Sequence, residues 1–105
     1  VTKSASWLPR IWFSSVVYRD RIWVLGGWSD EHKNFADVWN SKDGIDWKEL
    51  KTELQWSKRH ELSAFVLNGK IWVAAGAAGE DYALNSEVWS LFIPPKWFNQ
   101  NETAD

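Results

Sequence analysis

The chain matches itself when it is slid along by 49 residues. "WLPRIWFSSVVYRDRIWVLGG" (Trp7 to Gly27) falls on "WSKRHELSAFVLNGKIWVAAG" (Trp56 to Gly76). Trp7 meets Trp56, Arg10 meets Arg59, Ser14 meets Ser63, and Ile22-Trp23-Val24 meets Ile71-Trp72-Val73. One residue is inserted in the loop that follows, so at an offset of 50 Val38-Trp39 meets Val88-Trp89 and Trp47 meets Trp97. A repeat of this length means that one supersecondary unit has been built twice, with the repeated positions carrying its construction. It also accounts for a composition that otherwise has no explanation. Ten of the 105 residues are Trp, and eight of those ten are four repeated pairs. Trp23, Trp39, Trp47, Trp72, Trp89 and Trp97, with Gly26, Gly27 and Gly76, are therefore assigned to the framework.

The pattern inside each copy is that of β structure. "FSSVVY" and "LSAFVL" are expected as first strands, ending in the hairpin-turn dipeptides "RD" and "NG". "RIWVLGG" and "KIWVAAG" are second strands whose nearly unbroken apolar runs predict burial on both faces. A polar loop follows in each copy, "WSDEHKNFA" and "AAGEDYALN", and then third strands "DVWNS" and "EVWSL". "DWKEL" alternates as a fourth, outer strand, matched less cleanly by "KWFNQ" after Pro94 and Pro95, which cannot donate to a sheet. No window carries a helical apolar period with caps. The expectation is an all-β chain of two four-stranded antiparallel units. Residues 1–9 form a lead-in, 10–50 the first unit, 51–98 the second with its own lead-in, and 99–105 a disordered tail.

The order Arg10, hairpin, "RIWVLGG", "DVWNSKDGIDW" resembles the kelch repeats of bacterial propellers of the galactose-oxidase central-domain type. The match runs over residues 7 to 98, and the second copy departs from it at Ala75-Gly76 and at "FIPPKW". The resemblance implies β-propeller blades, and propellers close with four to eight of them. Two blades would leave an apolar face open at each end, which drives association. The expectation is a homo-oligomeric ring, and a trimer is favoured because six blades is a usual kelch number and two does not divide seven. The alternative is a piece of a longer propeller. The start at Val1 with no Met anywhere points the same way, or to processing, and "SASW" reads as the edge of a lost preceding blade.

Strand direction sorts the loops. One face of such a unit collects Arg10, Trp12, Trp28, Ser29, Asp30, Glu31 and His32, with Arg59, His60, Glu61, Glu80, Asp81 and Tyr82 from the second copy. Trp12 and Trp28 align with Glu61 and Ala77, so the repeat does not require Trp there. They either offer stacking faces to a ligand or plug a loop over the sheet. Arg10 and Arg59 either bond backbone or form a fork for an anion. The ligand-binding candidates are thus Arg10, Trp12, Trp28, Asp30, Arg59, His60 and Glu61. Carboxylates Asp30, Glu31, Glu80 and Asp81 suit a solvated loop, acid–base work or calcium.

Several functions are argued against by what the chain contains. A net charge of −2 leaves no basic excess for nucleic acid. No apolar run approaches the roughly 18 residues of a membrane span. His32 and His60, the only histidines, lack metal-ligand spacing, and there is no nucleophile elbow or phosphate loop. Zero Cys removes disulfides, thiolate metal sites and the cysteine-modified tyrosine of the oxidase relatives. The function expected is a binding module without cofactor that takes a carbohydrate or protein ligand. The rivals are a sugar-acid enzyme, since sialic-acid epimerases are also kelch propellers and Arg10, Arg59, Glu61 and His60 suit a sugar acid, and a purely structural propeller fragment.

Overall fold

The computed structural model describes residues 2–51 and 56–98, and the tail expected to be disordered lies outside them. The chain is all-β with antiparallel sheets. In the first copy β1 (Ser14–Tyr18), β2 (Arg21–Leu25), β5 (Val38–Ser41) and β6 (Lys48–Leu50) form a four-stranded meander in the order β1-β2-β5-β6. In the second copy β8 (Ser63–Leu67), β9 (Lys70–Ala74) and β12 (Val88–Ser90) pair in the order β8-β9-β12. Both β1–β2 and β8–β9 hairpins turn through two residues at positive φ, Arg19 (51°) and Asp20 (57°) in one, Asn68 (52°) and Gly69 (72°) in the other. That turn matches the right-handed twist of paired strands, so the dipeptides fix the register Tyr18↔Arg21 and Leu67↔Lys70.

One expectation is corrected. The second sheet has three strands among the described residues, because residues 95–98 form a single helical turn where a fourth strand was expected. Pro94 and Pro95 remove two consecutive donors from any ladder, and Pro95 suits the first position of a helix. Trp97 N closes the turn on Pro94 O at 2.9 Å. The polar loops carry short strands of their own. Each folds into a two-residue hairpin, β3 (Trp28–Ser29) with β4 (Lys33–Asn34) and β10 (Ala77–Ala78) with β11 (Ala83–Leu84). Strands of two residues carry no readable period.

These small hairpins join the copies. Within the first copy Ile11 bridges Trp28, and between the copies Phe35 bridges Arg59 in β7 (Arg59–His60), which pairs β10. Gly27 N donates to Arg59 O at 3.0 Å. A side chain at Gly26 would place its Cβ 2.8 Å from Arg59 O, so glycine is what allows the copies to approach here.

The core lies between the two sheets. Trp23, Leu25, Val38 and Leu50 from the first meet Ile71, Val73 and Leu91 from the second, with Trp56, Leu62 and Phe98. β2 is buried except at Ile22, close to the expectation of two covered faces, whereas in β9 Ile71 and Val73 are buried and Trp72 and Ala74 are half-buried. The helical turn sets Trp97 5.8 Å and Phe98 6.5 Å from the Trp23 ring, so its aromatics pack onto the core of the first sheet. Trp47, matched to Trp97 by sequence, stands instead just before β6 with Nε1 donating to Gly44 O at 3.2 Å.

Candidate functional site

Arg10 and Arg59 are held alike. Arg10 donates from Nε to Leu8 O (3.0 Å), from one guanidinium nitrogen to Gly26 O (3.1 Å), and to both oxygens of Asp37 (2.5 and 3.0 Å). Arg59 donates to Ser57 O (3.1 Å), Ala75 O (2.9 Å) and Glu87 (2.7 Å). Each carboxylate also accepts from the indole of the repeated third-strand tryptophan, Asp37 from Trp39 at 2.8 Å and Glu87 from Trp89 at 3.1 Å. Both arginine side chains have 0% exposure. They are clasps that tie the start of each copy to its second and third strands. The signal was present in the sequence, because Asp37 and Glu87 align at the offset of 50 just as the arginines align at 49. Second-strand tryptophans are equally matched, Trp23 Nε1 donating to Tyr18 O (2.9 Å) and Trp72 Nε1 to Leu67 O (3.0 Å).

The clasp carboxyls carry an acid sensitivity. Burial pushes the Asp37 carboxyl up, but hydrogen bonds from Arg10 and Trp39 with the Arg10 charge outweigh it and hold the group below its ordinary value. Hydrogen bonds from Arg59 and Trp89 lower Glu87 in the same way. A folded pKa below the unfolded one gives stability that is present above the ordinary carboxylate range and lost as pH falls through the folded value. Asp37→Asn should therefore lower the melting temperature at pH 7 and flatten its decline between about pH 5 and pH 3, as thermal melts across that range would read.

The unrepeated aromatics gather elsewhere. Trp12 and Trp28 lie with ring centroids 5.3 Å apart at 37°. His60 stacks at 5.3 Å from Trp12 and 6.4 Å from Trp28, and Tyr82 meets His60 edge-on at 5.5 Å. Tyr82 also joins the group by its hydroxyl, which accepts from Trp28 Nε1 at 3.3 Å. The backbone is shaped for this. Trp12 sits at φ 59° and its repeat mate Glu61 at φ 55°, with Glu61 N donating to Trp12 O at 2.7 Å. His60 itself is buried, and its Nδ1 bonds Asn34 Oδ1. Trp12 is 47% exposed and Tyr82 37%.

Beside the cluster lies a cavity of about 570 Å³, lined by His32, Lys33, Asn34, Lys58, Glu80 and Tyr82 with Gly79. Asn34 forms its floor, with Nδ2 donating to Gly79 O at 3.1 Å across the two copies. Lys33 Nζ stands 5.7 Å over the Trp28 ring. The site therefore joins an exposed aromatic face to two ammonium groups, a carboxylate and an imidazole, a set that can stack on a ring and hydrogen-bond its substituents.

Of the seven candidates, Trp12, Trp28 and His60 are brought together. Glu61 is exposed beside them, and Asp30 is exposed in the β3–β4 turn. Arg10 and Arg59 face inward. Tyr82, Lys33 and Lys58 were not singled out as ligand-binding candidates, and the sequence marks Lys33 and Lys58 only as charged residues in loops. Among the described residues, no group of three His, Asp or Glu side chains is placed to hold a metal ion. No family model matches the chain, and no curated protein matches it.

Proposed function

We propose that the chain is a non-catalytic binding module built from kelch-type propeller blades, and that its ligand is a carbohydrate or protein group held against Trp12, Trp28 and Tyr82. One observation carries the reading. The tryptophans that the repeat does not need, Trp12 and Trp28, are the ones that meet on the loop face, next to a cavity lined with polar groups. Five of the framework tryptophans are tied by their indole N–H, Trp23, Trp47 and Trp72 to backbone and Trp39 and Trp89 to a clasp carboxylate, whereas Trp12 and Trp28 meet ring to ring and Trp12 presents nearly half its surface to solvent. Aromatic side chains with one free face and hydrogen-bonding neighbours suit a sugar ring. The kelch reading itself rests on the repeated Arg, glycine and Trp positions. The epimerase reading loses support, since Arg10 and Arg59 would have to reach a sugar acid and have no exposed side-chain surface.

The test is titration of intrinsic tryptophan fluorescence against a panel of neutral and acidic saccharides and short peptides. A saturable change is expected for one of these classes. Trp12→Ala should weaken that binding about tenfold or more, a loss of about 1.4 kcal/mol, while the melting temperature moves by only a few degrees. A flat response across the whole panel, or a Trp12→Ala variant that binds normally, would remove the reading.

A further inference from the structure

The two sheets present unlike faces to each other, and the repeat makes each internal face the mate of an open one. Alternation along the strands places Val16, Trp23, Leu25 and Val38 on one side of the first sheet. That side packs on the side of the second sheet carrying Ile71, Val73 and Leu91, with Leu62 beside it. The contact is heterologous, the front of one copy against the back of the next. At the repeat offsets, the front of the second copy is Phe65, Trp72, Ala74 and Val88, and the back of the first is Phe13, Ile22, Val24 and Ser41. Both are open. Val38 is 0% exposed but Val88 59%, and Ile71 is 1% exposed but Ile22 39%. Val24 is already covered, as Val73 is. The lead-in tryptophans follow the same rule: Trp56 belongs to the internal core, and Trp7 lies on the other copy against Phe13 and Trp47, with ring centroids 5.8 and 5.7 Å away.

We propose that the open front of the second sheet docks the open back of the first sheet of another copy of this chain, reproducing between molecules the sheet-on-sheet contact that exists within one. The occupant is defined by complementarity already realised once. The internal joint shows that a surface of this composition is buried by a surface of the other composition. Each chain carries one unsatisfied example of both. A head-to-tail contact that repeats with a fixed rotation closes a ring. The proposal rests on the repeat equivalence and not on the ligand, so it can fail while binding by a single chain succeeds.

Light scattering after size exclusion, at several concentrations in the micromolar range, tests it with two variants. Val88→Asp spoils only the front, at an exposed edge-strand position, and Ile22→Asp spoils only the back. The wild-type chain should run as a single species at two, three or four times 12.2 kDa. Each variant alone should fall to one chain while keeping its circular dichroism. An equimolar mixture of the two should recover a species of two chains and no larger, since one good front meets one good back. A folded wild-type chain at 12.2 kDa overturns the proposal. So does association that survives either variant, which would mean a contact of like with like. A variant that loses its circular dichroism is replaced by Phe65→Asp for the front or Phe13→Asp for the back, each also exposed.

Discussion

Trp23→Ala should cost about 3–5 kcal/mol of stability, whereas Trp72→Ala in the unassociated chain should cost about 1 kcal/mol. Sequence makes these two residues equivalent, and their local bonding is the same, each indole donating to the carbonyl that precedes its hairpin turn. Their surroundings differ. Trp23 is fully buried, with Tyr18, Trp97 and Phe98 around its ring at 6.2, 5.8 and 6.5 Å. Its removal leaves a hole in the only large shared core among the described residues. Trp72 points to the open front of the second sheet and already meets solvent. Urea unfolding at low concentration, below any association, measures both values. Equal losses would mean that the front of the second sheet is covered within the single chain. At high concentration the Trp72→Ala penalty should grow, because copies in contact would bury that ring.

Arg10→Ala should cost about 3–5 kcal/mol, as breaking a buried ion pair does, and Arg10→Lys should recover little of it. The guanidinium bonds both Asp37 oxygens and two backbone carbonyls at once, and its flat face lies 3.9 Å over the Phe35 ring. Lysine offers a point charge without the fork, so it can meet one of these partners but not the set. Asp37, left alone and partly buried, keeps the desolvation penalty that the arginine had offset. Against a total stability of about 5–15 kcal/mol, such a loss is a large share of the whole. Equilibrium denaturation of the two variants gives both numbers. An Arg10→Lys chain as stable as wild type would show that charge alone holds the clasp.

The repeat makes most of the framework legible in the sequence. Hairpin dipeptides placed β1–β2 and β8–β9, because a two-residue turn needs positive φ and few residue types supply it cheaply. The tryptophan pairs marked second and third strands because identical positions in a duplicated unit do identical work. The pattern failed where the copies diverge physically. "KWFNQ" resembles "DWKEL" in placing a Trp, but Pro94 and Pro95 outvote that likeness, and Trp97 turns inward onto Trp23. Arg10 and Arg59 could be read as ligand forks or as structural clasps until their partners were seen, although the partners align as cleanly as they do. For the candidate site, the absence of repetition at Trp12 and Trp28 was the useful clue. Their convergence with His60 and Tyr82 depends on the transverse bridges Ile11↔Trp28 and Phe35↔Arg59, which join segments far apart in the chain and leave no periodic trace.

The closeness of Trp12 and Trp28 has an optical consequence. Two indoles with centroids 5.3 Å apart and planes inclined at 37° share their excited states, so they should give a paired positive and negative band in circular dichroism. A molecule that slid over or between them would change that band without any label. The loop face thus contains its own reporter, set apart from the eight framework tryptophans because replacing Trp12 removes this signal and leaves theirs.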